Sequence, residues 1–184
     1  VFLGEKQEPK LAGDLGTEYG IALVRMELGQ FREARALFQG LLATNPGIIP
    51  FHTGLAGAEL ALGDRDAAFA AYEKAMGLFP RNTPLTVRYA EALLAAGQPK
   101  KAHAILLDLL NNVPPTAEQV RLIALAASAA GDTADAHYYM AELHLLRGDV
   151  IMAADQLRLA LSIPGLDSVQ KARFTSRLAE IQEW

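Results

Sequence analysis

The chain has 184 residues, of which 51% are hydrophobic and 21% charged, and its net charge at neutral pH is −4. A nucleic-acid-binding protein needs a basic face to neutralise phosphates, so this charge argues against that class of function. The absence of cysteine excludes a disulfide scaffold and a thiol nucleophile. No apolar run approaches the roughly 20 residues that a membrane-spanning helix needs.

The amino-terminal end precedes the first regular pattern. The chain begins Val1-Phe2-Leu3 without a methionine, which predicts that the natural amino terminus has been removed. The lack of a targeting segment therefore says little about the compartment. Residues 1–14 are predicted to be a truncated linker.

From residue 15 onwards a period of 34 residues organises the chain. Glycine recurs at this interval and is followed five residues later by alanine, and further apolar columns keep the same spacing. The glycines are Gly29, Gly63, Gly97 and Gly131, and the alanines are Ala34, Ala68, Ala102 and Ala136. Self-similarity at a fixed period of this length predicts an array of repeated structural units.

Each unit is predicted to be a pair of helices joined at its glycine. In the first unit, 19–28 carries apolar residues at helical spacing, and 31–42 carries the next apolar face. Gly29 between them can adopt the left-handed conformation that ends a helix. Asp64, Asp132 and Asp149 each follow a glycine and are predicted to cap the next helix.

Pro46, Pro80 and Pro114 also recur at 34 residues, but in the fourth unit Gly148 occupies the corresponding position and Ala153 follows it by five residues. The helix predicted over 133–147 is therefore both the second helix of unit four and the first helix of a fifth unit. A last segment, 165–184, is predicted to be a capping helix with one apolar and one polar face. The apolar face is predicted to hold Val169, Ala172, Leu178 and Ile181, with Lys171, Arg173, Arg177 and Glu180 mostly facing away.

The columns of small residues at helix crossings, with a proline ending each unit, resemble the tetratricopeptide (TPR) pattern. The resemblance implies an all-α fold, a right-handed superhelical solenoid of about nine or ten antiparallel helices. Residues 15–164 are assigned to this array, as four 34-residue repeats and the fused fifth unit.

In proteins of this family the first helix of each pair lines the concave side and contacts the ligand. Carried onto this sequence, the family positions predict a groove for a peptide or a protein partner. The alternative, left open by the sequence, is that several of these residues are covered by the solenoid itself or by a second domain. The predicted groove residues are Tyr19, Leu23, Met26, Thr53, Leu60, Val87, Glu91, Leu94, Arg121, Leu125, Tyr138, Glu142 and Leu145.

The residues offer little for catalysis. No histidine lies in an H-E-x-x-H arrangement, which would hold zinc and activate water. His137 and His144 lie two helical turns apart, but packing and a helix end explain them better than a metal site. We therefore expect no catalytic residue, no metal and no cofactor in this chain.

A finer resemblance lies in 136–181, where the doubled helix is followed by the last helix. The stretch Ala136-His137-Tyr138-Tyr139-Met140-Ala141-Glu142 and the segment Leu146-Arg147-Gly148-Asp149 are similar to the carboxy-terminal end of BepA-like proteins. These are periplasmic zinc metallopeptidases of Gram-negative bacteria whose catalytic domain precedes a TPR domain. The resemblance transfers no catalytic residue, because the matching positions are not in this chain.

Three functional hypotheses follow. The chain is the partner-binding or client-binding half of a periplasmic zinc peptidase that assists outer-membrane protein assembly and quality control, or a free-standing TPR adaptor, or an enzyme in its own right. The resemblance favours the first, with a periplasmic location, although the cytoplasm remains open. Its expected partners are client outer-membrane proteins, their assembly machinery or the catalytic domain of the same polypeptide.

Overall fold

The computed structural model describes residues 14–183. This range contains ten α-helices and no β-strand, which confirms the predicted fold class. The predicted linker, apart from Asp14, lies outside the described residues, as does Trp184. None of the described helices combines the length and the hydropathy that a bilayer crossing requires.

The chain divides into two compact units, whose described parts are residues 14–78 and 79–183. In the first unit, consecutive helices pack against each other around a buried cluster that includes Phe38, Leu41 and Phe51. Its helices are α1 (Leu15–Glu27), α2 (Phe31–Thr44), α3 (Ile49–Ala61) and α4 (Arg65–Leu78).

The second unit also packs consecutive helices against each other. Leu106 on one helix and Ile123 on the next are fully buried, and a further cluster around Leu157 and Phe174 closes the carboxy-terminal end. Its helices are α5 (Thr83–Ala95), α6 (Pro99–Leu110), α7 (Ala117–Ala130), α8 (Thr133–Leu146), α9 (Val150–Ser162) and α10 (Ser168–Gln182).

The predicted turn chemistry is confirmed. The repeat glycines have φ between +71° and +86°, a region that side chains with a Cβ rarely occupy, and Gly148 at the register change has φ of +79°. The carboxylates of Asp64, Asp132 and Asp149 each accept a hydrogen bond from the amide three residues later, at 3.0 to 3.2 Å. These caps satisfy amides that a helix start otherwise leaves unpaired.

The alanine column marks helix crossings in three of its four members. Ala34, Ala68 and Ala102 are fully buried, whereas Ala136 is half-buried. The difference follows from the double role of α8, which buries Ala134 and Ala141 in the cluster that it shares with α9 and α10.

Helices α2 and α3 approach closely at Gly54. A Cβ atom on this residue would lie only 2.4 Å from the ring of Phe38, which is fully buried. The glycine therefore provides the space that the aromatic ring of the preceding helix fills.

The face predicted for the last helix is correct only in part. Ile181 is buried and Leu178 packs against the carboxy-terminal cluster, as predicted, whereas Val169 is 72% exposed, Ala172 is also exposed, and Phe174 joins the buried side of α10. Arg173 and Arg177, predicted to face away, turn towards α8 and form ion pairs there. The prediction assigned the arginines to solvent because they are charged. The aliphatic part of an arginine side chain can, however, pack against apolar residues while the guanidinium pairs with a carboxylate.

Candidate partner-binding groove

The exposed face of α7 forms the floor of a groove in the second unit, which we call the α7 groove. It has two parts that share Arg121: a cavity of about 240 Å³ between α5 and α7, and one of about 420 Å³ against α8 and α9. Four predicted residues meet here: Val87 and Glu91 in the first part, Leu125 in the second, and Arg121 in both. The second part is completed by Ala124, Ser128, Thr133, Ala136, His137, Met140 and Gln156.

The α7 groove combines apolar surface with adaptable polar groups. Leu125 is 52% exposed. Arg121 donates from Nε to Glu118 Oε2 at 3.2 Å, but both side chains are more than half exposed, and such pairs contribute little to stability. The guanidinium can therefore exchange this partner for another carboxylate or carbonyl. An apolar anchor beside movable polar groups suits an extended or helical peptide segment.

The groove residues predicted in the first unit are divided between core and surface. The ring of Tyr19 packs against those of Phe38 and Phe51, with centroids 6.2 and 5.3 Å apart. Met26 packs against the same cluster, whereas Leu23 is 43% exposed. Thr53 and Leu60 are half-buried, as is Leu94 on α5 in the second unit.

Three predicted residues, Tyr138, Glu142 and Leu145, face α10 or the cluster beneath it. Tyr138 stacks on Phe174 with centroids 5.2 Å apart, and Glu142 accepts two hydrogen bonds from Arg177 at 2.7 and 2.9 Å. Leu145 packs against the carboxy-terminal cluster. The reason is geometric: α8 turns 136, 137 and 140 towards the α7 groove, so its side with 138 and 142 points elsewhere.

A separate cavity of about 380 Å³ lies between α8, α10 and the loop that joins α6 to α7. Its polar lining residues are Asn111, Tyr138, Tyr139, Glu142 and Arg173, and Leu146 is among its apolar lining residues. Burial raises the pKa of both tyrosines. A phenol with the ordinary tyrosine pKa of 10.0 is already neutral at physiological pH, so the raised pKa only reinforces the neutral form, which can donate a hydrogen bond.

A buried polar network, which we call the α10 anchor, joins α6, α8 and α10. Its centre is Asp135, only 4% exposed, whose Oδ1 accepts hydrogen bonds from Gln170 at 3.3 Å and from Arg173. His103 Nε2 lies 3.6 Å from Oδ2, a distance of ion-pair contact rather than of a hydrogen bond. The Arg173 guanidinium also lies 4.4 Å from the centroid of the Tyr138 ring. We define the α10 anchor as Asp135, His103, Gln170 and Arg173.

The carboxylate of Asp135 is held ionised. Burial alone would raise its pKa, but His103, the charge of Arg173 and the hydrogen bond from Gln170 outweigh burial and lower the pKa below its ordinary value of 3.8. The folded state thus prefers the charged form.

The lowered pKa of Asp135 predicts that the folded state loses stability in acid. Because the folded pKa is lower than the unfolded one, the stability that Asp135 supplies is complete above 3.8 and is lost as the pH falls through the folded value. For a single carboxyl group, the contribution to the slope of the unfolding free energy against pH is at most about 1.4 kcal/mol per pH unit. Urea unfolding at a series of pH values should show that Asp135→Asn removes this component, whereas Asp155→Asn, at an exposed ion pair, retains it. Identical pH profiles for wild type and Asp135→Asn would contradict the assignment.

The two histidines on α8, His137 and His144, each contact a side chain of α9 or of the residue that caps it. His137 Nδ1 lies 2.8 Å from Gln156 Oε1, and His144 Nδ1 lies 3.7 Å from Asp149 Oδ2. We predict that purified chain binds far less than one zinc ion per molecule. Elemental analysis after dialysis tests this, and one tightly held zinc that is lost in His137→Ala would overturn it.

The α10 anchor is the main feature that sequence reasoning missed. Asp135 follows Asp132 by three residues in the first turn of α8, where a carboxylate is typical of a helix start, yet only Asp132 caps the helix. A usable signal was the spacing of four between Arg173 and Arg177, which places two cations on one helix face beside Phe174. Gln156 was also missed, because the family positions assign the groove to first helices only, whereas α9 contributes Gln156 to its lining.

Comparisons with known proteins agree with this architecture. Two family models, both described as tetratricopeptide repeat, match residues 17–47 and 59–126, together more than half of the chain. Among solved structures, MamA (residues 41 to the end) of Desulfovibrio magneticus RS-1 aligns over 93% of this chain and 97% of its own, with a TM-score of 0.62 and 20% identity. A thermophilic TPR protein of Thermus thermophilus aligns over 90% and 100%, with a TM-score of 0.52 and 22% identity.

The curated relatives include the beta-barrel assembly-enhancing proteases of Escherichia coli K12 and Shigella flexneri. Each is 30% identical over 166 residues, which are 90% of this chain and 34% of the relative. The chain therefore spans about a third of the length of these relatives.

The 34-residue spacing, the left-handed glycines and the buried alanines at helix crossings lie in a chain that two tetratricopeptide repeat models match over more than half of its length. The prediction that this chain is a protein-interaction module rather than a catalytic domain agrees with that match. The chain belongs to the tetratricopeptide repeat family.

Proposed function

We propose that this chain is the partner-binding part of a periplasmic zinc metallopeptidase that takes part in the assembly and quality control of outer-membrane β-barrel proteins. The observation that carries the proposal is the 30% identity to the beta-barrel assembly-enhancing protease over 90% of this chain. The α7 groove is its recognition surface, with Leu125 as an apolar anchor and Arg121 as the polar partner.

Binding energy at protein interfaces concentrates in a few anchors. Leu125 is such a candidate because half of its surface is free and Met140 and Ala124 line the same cavity. Arg121 adds a donor that can pair with a main-chain carbonyl or a carboxylate of the bound segment.

Photocrosslinking in living cells tests the proposal. A photoreactive residue at 125 in the full-length protein should trap outer-membrane proteins or components of their assembly machinery. The matched control is position 104, an exposed alanine on α6, which should trap little. Equal capture at both positions, or capture of cytoplasmic proteins alone at 125, would contradict the proposal.

The full-length gene separates this function from a free-standing adaptor. The proposal predicts a secretion signal and an H-E-x-x-H helix upstream of the repeat array. A full-length reading frame with neither would favour the adaptor.

A further inference from the structure

Helix α8 lines two different cavities with its two sides. His137 and Met140 line the α7 groove. Tyr138, Glu142 and Leu146 line the cavity of about 380 Å³ towards α10, and their spacing of four residues keeps them on one side of the helix. We call this second space the α8–α10 cavity, and its walls include Pro114, Pro115, Tyr138, Tyr139, Leu146 and Arg173.

One wall of the α8–α10 cavity is the loop between α6 and α7, which is fixed at both ends. The amide of Val113 donates to the carbonyl of Leu109 at 2.9 Å, and a capping box holds the start of α7. Between these two points, Pro114 and Pro115 have φ angles that are locked by their rings. The loop therefore loses little conformational entropy when it contacts a ligand.

Another wall is aromatic and is held by a cation. The rings of Tyr138 and Tyr139 meet edge to face with centroids 5.2 Å apart, and the Arg173 guanidinium lies 4.4 and 5.9 Å from these centroids. Aromatic rings attract one another in edge-to-face and offset geometries, by more than their buried area alone provides. This wall therefore favours a ligand with an aromatic ring over an aliphatic one.

The charges of the α8–α10 cavity are already balanced. The charged residues that line it in the described part of the chain are Glu142 and Arg173; Glu142 accepts two hydrogen bonds from Arg177, and Arg173 donates to Asp135. A charged ligand would find no free counter-charge here, and burial of an unpaired charge is unfavourable. Within residues 14–183, however, the phenol of Tyr138 has no hydrogen-bond acceptor. The cavity thus suits a neutral ligand that offers an acceptor.

We propose that the α8–α10 cavity is a second binding site, which takes an aromatic side chain of a partner polypeptide together with the main-chain carbonyl beside it. The ring lies between the proline wall and the two tyrosines, and the Tyr138 phenol donates to the carbonyl. The volume of about 380 Å³ is near the lower end of ligand pockets, roughly 300 to 1,000 Å³, so it suits a single residue. The site is independent of the α7 groove, because the two share no lining residue.

Titration of the full-length protein with N-acetylphenylalanine amide, followed by nuclear magnetic resonance, tests the proposal. This probe carries the ring and neutral carbonyls, whereas N-acetylalanine amide lacks the ring and N-acetylphenylalanine carries a carboxylate. We expect saturable shifts at residues 138, 139, 142 and 146. The first probe should bind at least about fivefold more tightly than either of the others.

Two variants and a matched control locate the site. Leu146 is 54% exposed, so Leu146→Arg should fold normally, place a charge in the cavity and weaken binding at least about tenfold. The control is Leu159→Arg on α9, where the leucine is 46% exposed and lies outside the cavity, and it should leave the affinity unchanged. Tyr138→Phe keeps the ring that stacks on Phe174 but removes the hydroxyl, and should weaken binding about 2- to 10-fold.

Several results would overturn the proposal. The first is the absence of saturable shifts at the four cavity positions, or shifts confined to the α7 groove. Equal affinities for the three probes, or a preference for the carboxylate probe, would contradict a neutral aromatic ligand. Equal weakening by Leu146→Arg and Leu159→Arg would place the ligand elsewhere, and an affinity unchanged in Tyr138→Phe would refute the hydrogen bond to the carbonyl.

Discussion

Replacing Arg173 with methionine is expected to lower the free energy of unfolding of the second unit by about 3 kcal/mol, because it leaves the buried carboxylate of Asp135 without its main cation. Asp135 has only 6% of its side chain exposed, so water cannot take over the role of the guanidinium. Methionine keeps most of the length and apolar stem of the arginine, so the loss reports the charge rather than the packing. Urea unfolding followed by circular dichroism measures it.

The control for this prediction is Arg158→Met. Arg158 pairs with Asp155 at 2.7 Å, but both side chains are more than half exposed, so its loss should cost less than about 1 kcal/mol. Adding Asp135→Asn to Arg173→Met should recover part of the stability, because the unpaired charge is then removed. Equal costs for Arg173→Met and Arg158→Met would show that α10 is not held by a buried ion pair.

Overpacking a helix crossing should have an effect of similar size. Ala102 on α6 is fully buried, so Ala102→Leu forces additional carbon atoms into a filled contact and is expected to cost about 3 kcal/mol. Ala104 on the same helix is exposed, and Ala104→Leu should change the stability by less than about 0.5 kcal/mol. Thermal unfolding of the two variants, measured side by side, decides this. A melting temperature of Ala102→Leu equal to that of Ala104→Leu would remove this column from the helix crossings.

The fold was predictable from the sequence because the residues that end and cap the helices act locally and recur in each repeat. Gly29 has φ of +71° and can end a helix because it lacks a Cβ atom. A glycine recurs at the same position every 34 residues, so each unit carries the same helix-ending residue. The caps at Asp132 and Asp149 are local in the same sense, since each carboxylate bonds to an amide three residues away.

The candidate site was predictable only in part, because it depends on which face of a helix a distant element covers. Arg121 and Leu125, which the family positions assign to the groove, line the same cavity, and their role in binding stays a prediction. Tyr138 and Glu142 do not line that cavity, since α10 packs against their side of α8, which the sequence does not reveal. A Tyr138→Ala variant would consequently disturb the stacking on Phe174, so it is a poor probe of partner binding.

Long-range pairing of buried charges is the other part that sequence patterns miss. Asp135 and Arg173 are 38 residues apart, so no helical spacing links them. Their charges read as solvent-facing because charged residues are seldom buried without a partner, and the partner is brought in only by the packing of α10.

The central claim, that the α7 groove captures protein partners, is tested most directly by one affinity measurement. A partner trapped at position 125 would be purified and titrated against the full-length wild type and its Arg121→Glu variant. Arg121 is exposed and its pair with Glu118 is weak, so the change should leave the fold intact and weaken binding by about 1 to 3 kcal/mol, or roughly 5- to 150-fold. An affinity equal to that of the wild type, with the fold unchanged, would contradict the assignment of the groove.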